Sequence, residues 1–234
     1  MSAMHSPGSV RLDGVRFSHA SDGDGGFRLA LRTLAVAPGE RVACIGPSGS
    51  GKTTLIELIA GIRLPDAGRV TVGGVEISAL GDDARRAWRR ERVGMVFQEF
   101  ELLDYLTGVE NVLLPRRLGG SVDAEARSRA AALLERCGVG HAARRLPARL
   151  SQGERQRVAV CRALIARPEV LLCDEGTGNL DPRTARETLD VLLGGAEDAG
   201  ATVFFVTHDH GLLDSFDRVI DLAELRETAE GAAR

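Results

Sequence analysis

Lysine is almost absent from this chain: of its 30 basic side chains, Lys52 alone is lysine and the rest are arginine. Arginine is a planar fork and lysine a compact charge on a thin stem. A chain that avoids lysine elsewhere and keeps one here points to a site too narrow for a guanidinium. No apolar run approaches the roughly eighteen residues of a membrane-spanning helix, so none is expected. The first ten residues hold Ser, Pro and Gly but no apolar core, and no secretory leader is expected. Four cysteines, at positions 44, 137, 161 and 173, form no C-x-x-C pair, which favours free thiols in a reducing cytoplasm over a disulfide framework. The net charge is only −3, which excludes a strongly basic nucleic-acid binder and gives no sign of an acidic tail. His5, His141 and His210 lack metal-ligand spacing. Repeats, heptads and low-complexity stretches are also missing.

What remains is an ordinary globular composition. The chain has 234 residues, 44% hydrophobic and 27% charged, enough for one substantial core. Residues 1–9 are expected to be a tail, 10–222 a single domain, and 223–234 a C-terminal tail. From Val10 to Ala37 apolar residues alternate as in antiparallel strands, with a Gly/Asp turn at 21–26. Residues 68–77 predict a hairpin turning at Gly73-Gly74. Short apolar strands are expected at 41–45, 93–97, 170–173, 203–207 and 219–221. Helical patterns lie between them, including 123–136 with a stripe of Ala126, Ala130, Leu133 and Leu134. Asp181-Pro182 reads as a helix cap followed by proline at the first helical position. Such alternation indicates an α/β fold: a mostly parallel sheet, an antiparallel layer in front, and a helical insertion over about 99–155. Trp88, in the arginine-rich stretch 85–92, is expected to pack on a surface helix.

Three groups of residues carry chemistry. Gly46-Pro47-Ser48-Gly49-Ser50-Gly51-Lys52-Thr53, continued by Thr54, matches G-x-x-x-x-G-K-[ST] between an expected strand and an expected helix. Glycines let the backbone curl so that N–H groups surround phosphate oxygens, and the helix start adds positive potential. Lys52 would reach the terminal phosphates and the Thr53 hydroxyl would hold Mg²⁺. Val170-Leu171-Leu172-Cys173-Asp174-Glu175 places two carboxylates at a strand exit, where α/β sheets bind ligands. Asp174 would hold the metal, and Glu175 would orient or deprotonate water. Ser151 and Glu154 form a capping box in Leu150-Ser151-Gln152-Gly153-Glu154; a capped helix start alone leaves anion binding open.

Together these motifs resemble the ATP-binding-cassette ATPases, over about Val10 to Asp221. The resemblance implies a P-loop NTPase core of RecA-like type with the antiparallel layer and helical insertion. It makes 150–154 the signature, Gln98 the metal-touching glutamine, 178–181 the D-loop, and His208 a γ-phosphate sensor. It implies ATP and Mg²⁺, and a head-to-tail dimer in which Ser151 and Gly153 of one copy complete the phosphate loop of the other. Gln98, Glu175 and His208 are then the catalytic set, and Thr53, Gln98 and Asp174 the metal set. Three departures stand out: Gln152 replaces a signature glycine, Gly176 replaces proline after the catalytic glutamate, and His19 falls where an aromatic usually stacks on adenine.

The stretch from Phe97 to Pro115 is similar to the branch with lipoprotein-release, macrolide-efflux and cell-division ATPases. That similarity implies a separate membrane permease, docking near Phe100, Leu102, Leu103, Tyr105 and Leu106, and a location on the inner face of the cell membrane. An alternative within the branch is a mechanical regulator that transports nothing. No nucleic-acid partner is expected.

Overall fold

The computed structural model describes residues 6–19, 28–175 and 181–225. Two sheets organise them. The front sheet is antiparallel, with β1 (Val10–Ser18), β2 (Arg28–Val36), β4 (Ala67–Val72) and β5 (Val75–Glu76) in the order β2-β1-β4-β5. Its hairpin turns where expected, with Val72 opposite Val75. The second sheet comprises β3 (Arg41–Ile45), β6 (Val93–Val96), β7 (Val170–Asp174), β8 (Thr202–Val206) and β9 (Arg218–Asp221). Its order is β6-β7-β8-β3-β9, and every pairing is parallel.

The inner parallel strands β3, β7 and β8 bury both faces, which is why they read as unbroken apolar runs rather than alternating ones. On β7, Val170 and Leu172 face one core while Leu171 and Cys173 face the other; β8 divides Phe204 and Val206 from Val203 and Phe205 in the same way. The first core fills the space between this sheet, the front sheet and α1 (Lys52–Ile59). The second lies beneath α3 (Gly108–Leu118), α4 (Ala124–Arg136), α5 (Gln152–Leu164) and α6 (Pro182–Ala199). Each fully buried side chain of this size contributes about 1.5–3 kcal/mol. At Gly94 on β6 a Cβ would meet the Ala163 carbonyl oxygen at 2.5 Å, so the missing side chain lets α5 approach the sheet.

Helix ends follow the capping signals. Asp123 accepts the Ala126 N–H at 2.7 Å, and α4 buries Ala126, Ala130, Leu133 and Leu134. Asp181 accepts the Thr184 N–H at 3.1 Å ahead of Pro182, and α6 stops at Gly200 with φ 65°.

Several boundaries differ from expectation. The N-terminal tail is shorter than 1–9: Ser9 is 1% exposed, and its carbonyl accepts the Gly73 N–H at 2.8 Å. At the other end α7 (Leu222–Leu225) buries Leu222, so the structured region extends past 222. The insertion does not stop at 155, because α5 continues as one helix to Leu164 against β6. Trp88 is not a surface residue. It lies on α2 (Asp82–Arg92) at 7% exposure, packed into the first core; Arg85 of that helix is buried as well, while Arg86 is exposed. The expected turn at 21–26 lies outside the described residues.

Candidate functional site

Parallel pairing brings four expected motifs to one edge. The loop after β3 carries 46–51, the exit of β6 leads to Gln98, β7 ends in Asp174 and Glu175, and β8 leads to Thr207 and His208. Since β7, β8 and β3 are neighbours, these ends converge at the carboxyl side of the sheet.

The loop is built to curl. Gly46, Gly49 and Gly51 have φ of 151°, 75° and 104°, which side chains resist. α1 begins at Lys52, earlier than its apolar pattern, and Gly51 provides no side-chain cap, so the first N–H groups stay directed into the loop. Lys52 is 7% exposed, and its ammonium donates to the carbonyls of Gly46 at 2.8 Å and Pro47 at 3.0 Å. Ser50 Oγ is buried and has no hydrogen-bond partner. A buried cation satisfied only by its own loop, an orphaned hydroxyl and an open helix start fit a bound phosphate chain.

A cleft of about 360 Å³ adjoins this loop, lined by Ser48, Lys52, Thr53, Thr54, Gln98 and Glu175 among others. Burial pushes the Asp174 carboxyl up, offset in part by a hydrogen bond from Thr53. That pairing fits a divalent cation held by hard oxygens, with phosphate and water supplying the rest. Glu175 has φ 48°, a strained value for a residue with a side chain, and its N–H donates to the Val206 carbonyl at 3.0 Å. This bend places Glu175 Oε1 3.5 Å from His208 Nδ1.

Two residues of this region escaped sequence reasoning. Arg162, 9% exposed on α5, donates to the Phe100 carbonyl at 2.6 Å and also to the Glu101 carbonyl. Phe100 and Glu101 both have positive φ, at 62° and 48°, so this guanidinium holds a strained bend just after Gln98. Asn111 is fully buried and ties down the segment that follows. Its Oδ1 accepts the Leu103 N–H at 2.8 Å, and its amide donates to the Leu103, Leu106 and Thr107 carbonyls. The bend also turns Phe100 inward, to 8% exposure, and Leu102 packs on the second core; Tyr105, 76% exposed, stands free. The open groove lies alongside instead, about 610 Å³, walled by Met95, Phe97, Leu114, Pro115 and Leu118.

Ser151 and Gly153 do not line the phosphate cleft. Ser151 is exposed at the start of α5, its N–H donating to Glu154 Oε2 at 2.7 Å and its Oγ accepting the Glu154 N–H at 3.2 Å. His141, outside the sequence motifs, also contacts Glu154. That contact first, and the Ser151 N–H second, hold the Glu154 carboxyl at about 2. A lowered folded-state value stabilises above the ordinary carboxylate range, and the benefit is lost as pH falls towards 2. Glu154→Gln is therefore expected to melt below the parent protein at neutral pH, with a gap that closes on acidification; a gap independent of pH contradicts the pairing. His19 is exposed just beyond β1 and does not line the cleft. Gly176 and the D-loop residues 178–180 lie outside the described residues. Among the described residues no helix is long and apolar enough to cross a membrane.

Comparison with known proteins accords with this arrangement. The family model described as ABC transporter matches residues 31–178. The chain is 47% identical over 191 residues to the lipoprotein-releasing system ATP-binding protein LolD of Pseudomonas fluorescens, covering 82% of this chain and 84% of that one. It is 46% identical over 201 residues to the methionine import ATP-binding protein MetN of Caulobacter vibrioides, covering 86% of this chain and 60% of that one. A solved dimeric post-hydrolysis structure of the ATP-binding cassette MJ0796 with ADP and Pi superposes with a TM-score of 0.81 at 33% identity, covering 93% and 94% of the two chains. A family model spanning most of the chain, and relatives this close over most of their length, leave one assignment: the chain belongs to the ABC transporter family.

Proposed function

We propose that this chain is the ATP-hydrolysing subunit of a transporter, closing as a head-to-tail dimer on MgATP and driving a separate membrane permease. One observation carries the dimer. The cleft holding Lys52, Gln98 and Glu175 has no wall from Ser151 or Gly153 of the same chain, so the exposed start of α5 is free to close the cleft of a second copy. The dimeric MJ0796 cassette supports the same reading.

The residues divide the work. Backbone N–H groups of the loop from Ser48 to Thr54 cradle the phosphates, while Gly46 and Pro47, which has no N–H to give, shape its entry. Lys52 exchanges its loop carbonyls for phosphate oxygens. Thr53, Gln98 and Asp174 hold Mg²⁺, which when bound neutralises charge developing on the phosphates. Glu175 accepts the proton of the attacking water, and His208, already beside it, orients the site towards the terminal phosphate. Ser151 and Gly153 of the partner copy supply the opposite wall, and His19 faces the base.

The groove beside α3 is the permease contact, since its apolar walls are rimmed by Arg86, Arg89 and Arg90 and lie next to the loop of Gln98. The ATPase then sits on the inner face of the membrane through that partner. The names of the LolD and MetN relatives support a transport role.

Mixing tests the shared site. Lys52→Ala and Gly153→Glu copies are each expected to be inactive alone. Combined, they regain roughly a quarter of parental activity, because half the dimers then hold one intact site. No recovery, with a monomer that turns over normally, removes the shared-site reading.

A further inference from the structure

The start of α5 is held from outside its own helix. Within the capping box Glu154 Oε2 accepts the Ser151 N–H at 2.7 Å, and Ser151 Oγ accepts the Glu154 N–H at 3.2 Å. The other carboxylate oxygen, Oε1, meets His141 Nε2. A carboxylate only accepts, so the imidazole nitrogen in this contact is the donor. Both oxygens of Glu154 are then committed, and the carboxylate cannot swing without breaking a bond. His141 stands on a platform separate from α5. It lies in the single turn Gly140–Ala142, anchored by Val139 and Ala142, which are fully buried in the second core. The same stretch is tied to the start of α3: the Gly108 N–H donates to the Arg145 carbonyl at 2.9 Å and the Val109 N–H to the Ala143 carbonyl at 3.0 Å. At Gly108 a Cβ would meet the Ala142 carbonyl oxygen at 2.5 Å, so glycine lets these backbones close up. The imidazole side chain is 48% exposed, so cutting it back opens no core cavity.

We propose that His141 is a positioning residue for ATP hydrolysis: through Glu154 it fixes Ser151 in the place from which that serine completes the nucleotide site of a second copy. The inference rests on the shared-site reading above. In that reading the start of α5 meets the partner's phosphates, and Glu154, one turn into the helix, brings a negative charge towards the same anion. A carboxylate free to turn would repel the phosphates and leave the Ser151 N–H without its partner. Bonded at both oxygens, it stays put, and part of its charge is taken up by the imidazole N–H. The lowered Glu154 carboxyl, with His141 as the first cause and the Ser151 N–H as the second, fits a group held in this way. His141 does not line the phosphate cleft of its own chain. Its removal therefore acts on the site of the other copy and spares its own.

Mixed dimers read which site is affected. A full-length Lys52→Ala copy in large excess captures nearly every copy of a second kind. The one working phosphate loop then belongs to the minor copy and faces α5 of the excess copy. Parent protein as the minor copy sets the reference rate of ATP hydrolysis. With His141→Ala as the minor copy the working loop still faces an intact His141, and the rate is expected to equal the reference. With parent as the minor copy and Lys52→Ala/His141→Ala in excess, the working loop faces an α5 without its imidazole. There kcat/KM is expected to fall about 3- to 10-fold, the modest loss fitting a half-exposed contact. His141→Gln in that same excess copy is expected to restore most of the rate, because its amide can donate to Oε1. Equal rates in all mixtures overturn the proposal and leave the shared site standing. A loss in both arrangements reports a general defect of the altered chain and overturns it too, as does a glutamine no better than alanine. A loss confined to His141→Ala as the minor copy shows that each chain works with its own α5, which removes the shared-site reading itself.

Discussion

Glu175→Gln is expected to bind ATP as the parent protein does, while turnover falls by about 10²–10⁴-fold, the range for removing a positioned general base. Gln keeps the shape of the side chain and its approach to His208, 3.5 Å in the parent, so the strained bend at φ 48° has no reason to relax. What is removed is the carboxylate's negative charge and with it the capacity to take a proton from water. With hydrolysis blocked, nucleotide stays in the closed dimer, and gel filtration with MgATP is expected to show a shift from monomer to dimer. A variant that hydrolyses ATP at parental rate removes Glu175 from the reaction. One that loses ATP binding as well places it in the binding site instead.

Lys52→Ala has the opposite profile. Charge-assisted hydrogen bonds are worth about 1.5–3 kcal/mol, so losing the ammonium is expected to weaken MgATP by 10- to 100-fold, on the order of 3 kcal/mol at most. Titration calorimetry or a fluorescent nucleotide reads this directly. In the free protein Lys52 bonds the Gly46 and Pro47 carbonyls, so its removal also leaves loop acceptors unpaired. A melting curve separates the two effects: weakened binding with an unchanged transition assigns the loss to phosphate contact. Unaltered nucleotide affinity contradicts the phosphate-loop assignment.

The residues best read in advance are those whose position depends on local rules. A parallel strand sends its carboxyl end to the ligand side, so Asp174 and Glu175 could be placed from the strand pattern, whereas Gln98 came only through the family resemblance. Caps at Asp123, Ser151 and Asp181 are likewise local, and each holds. What was not legible depends on distant parts of the chain. Arg162 sits in the apolar run Val158-Ala159-Val160-Cys161 to Ala163-Leu164, and nothing local says that its fork reaches carbonyls 61 and 62 positions away. Trp88 lies among arginines whose charge suggests a wet helix, although Arg85 is itself buried beside the core. Phe100 to Leu106 carries apolar residues suited to a groove, yet a positive-φ bend, invisible in composition, turns Phe100 inward and leaves Met95 and Leu114 as walls. His141 meets Glu154 only because the residues between them fold back on the start of α5.

The guanidinium of Arg162 has a mechanical consequence. It rivets one helix, which begins at the signature serine, to the bend that follows Gln98. The two cannot tilt independently without stripping a buried cation of its acceptors. Under the proposed function, a push received in the groove beside that bend and a pull exerted on Ser151 by a second copy would therefore act on one lever with its fulcrum at a single side chain.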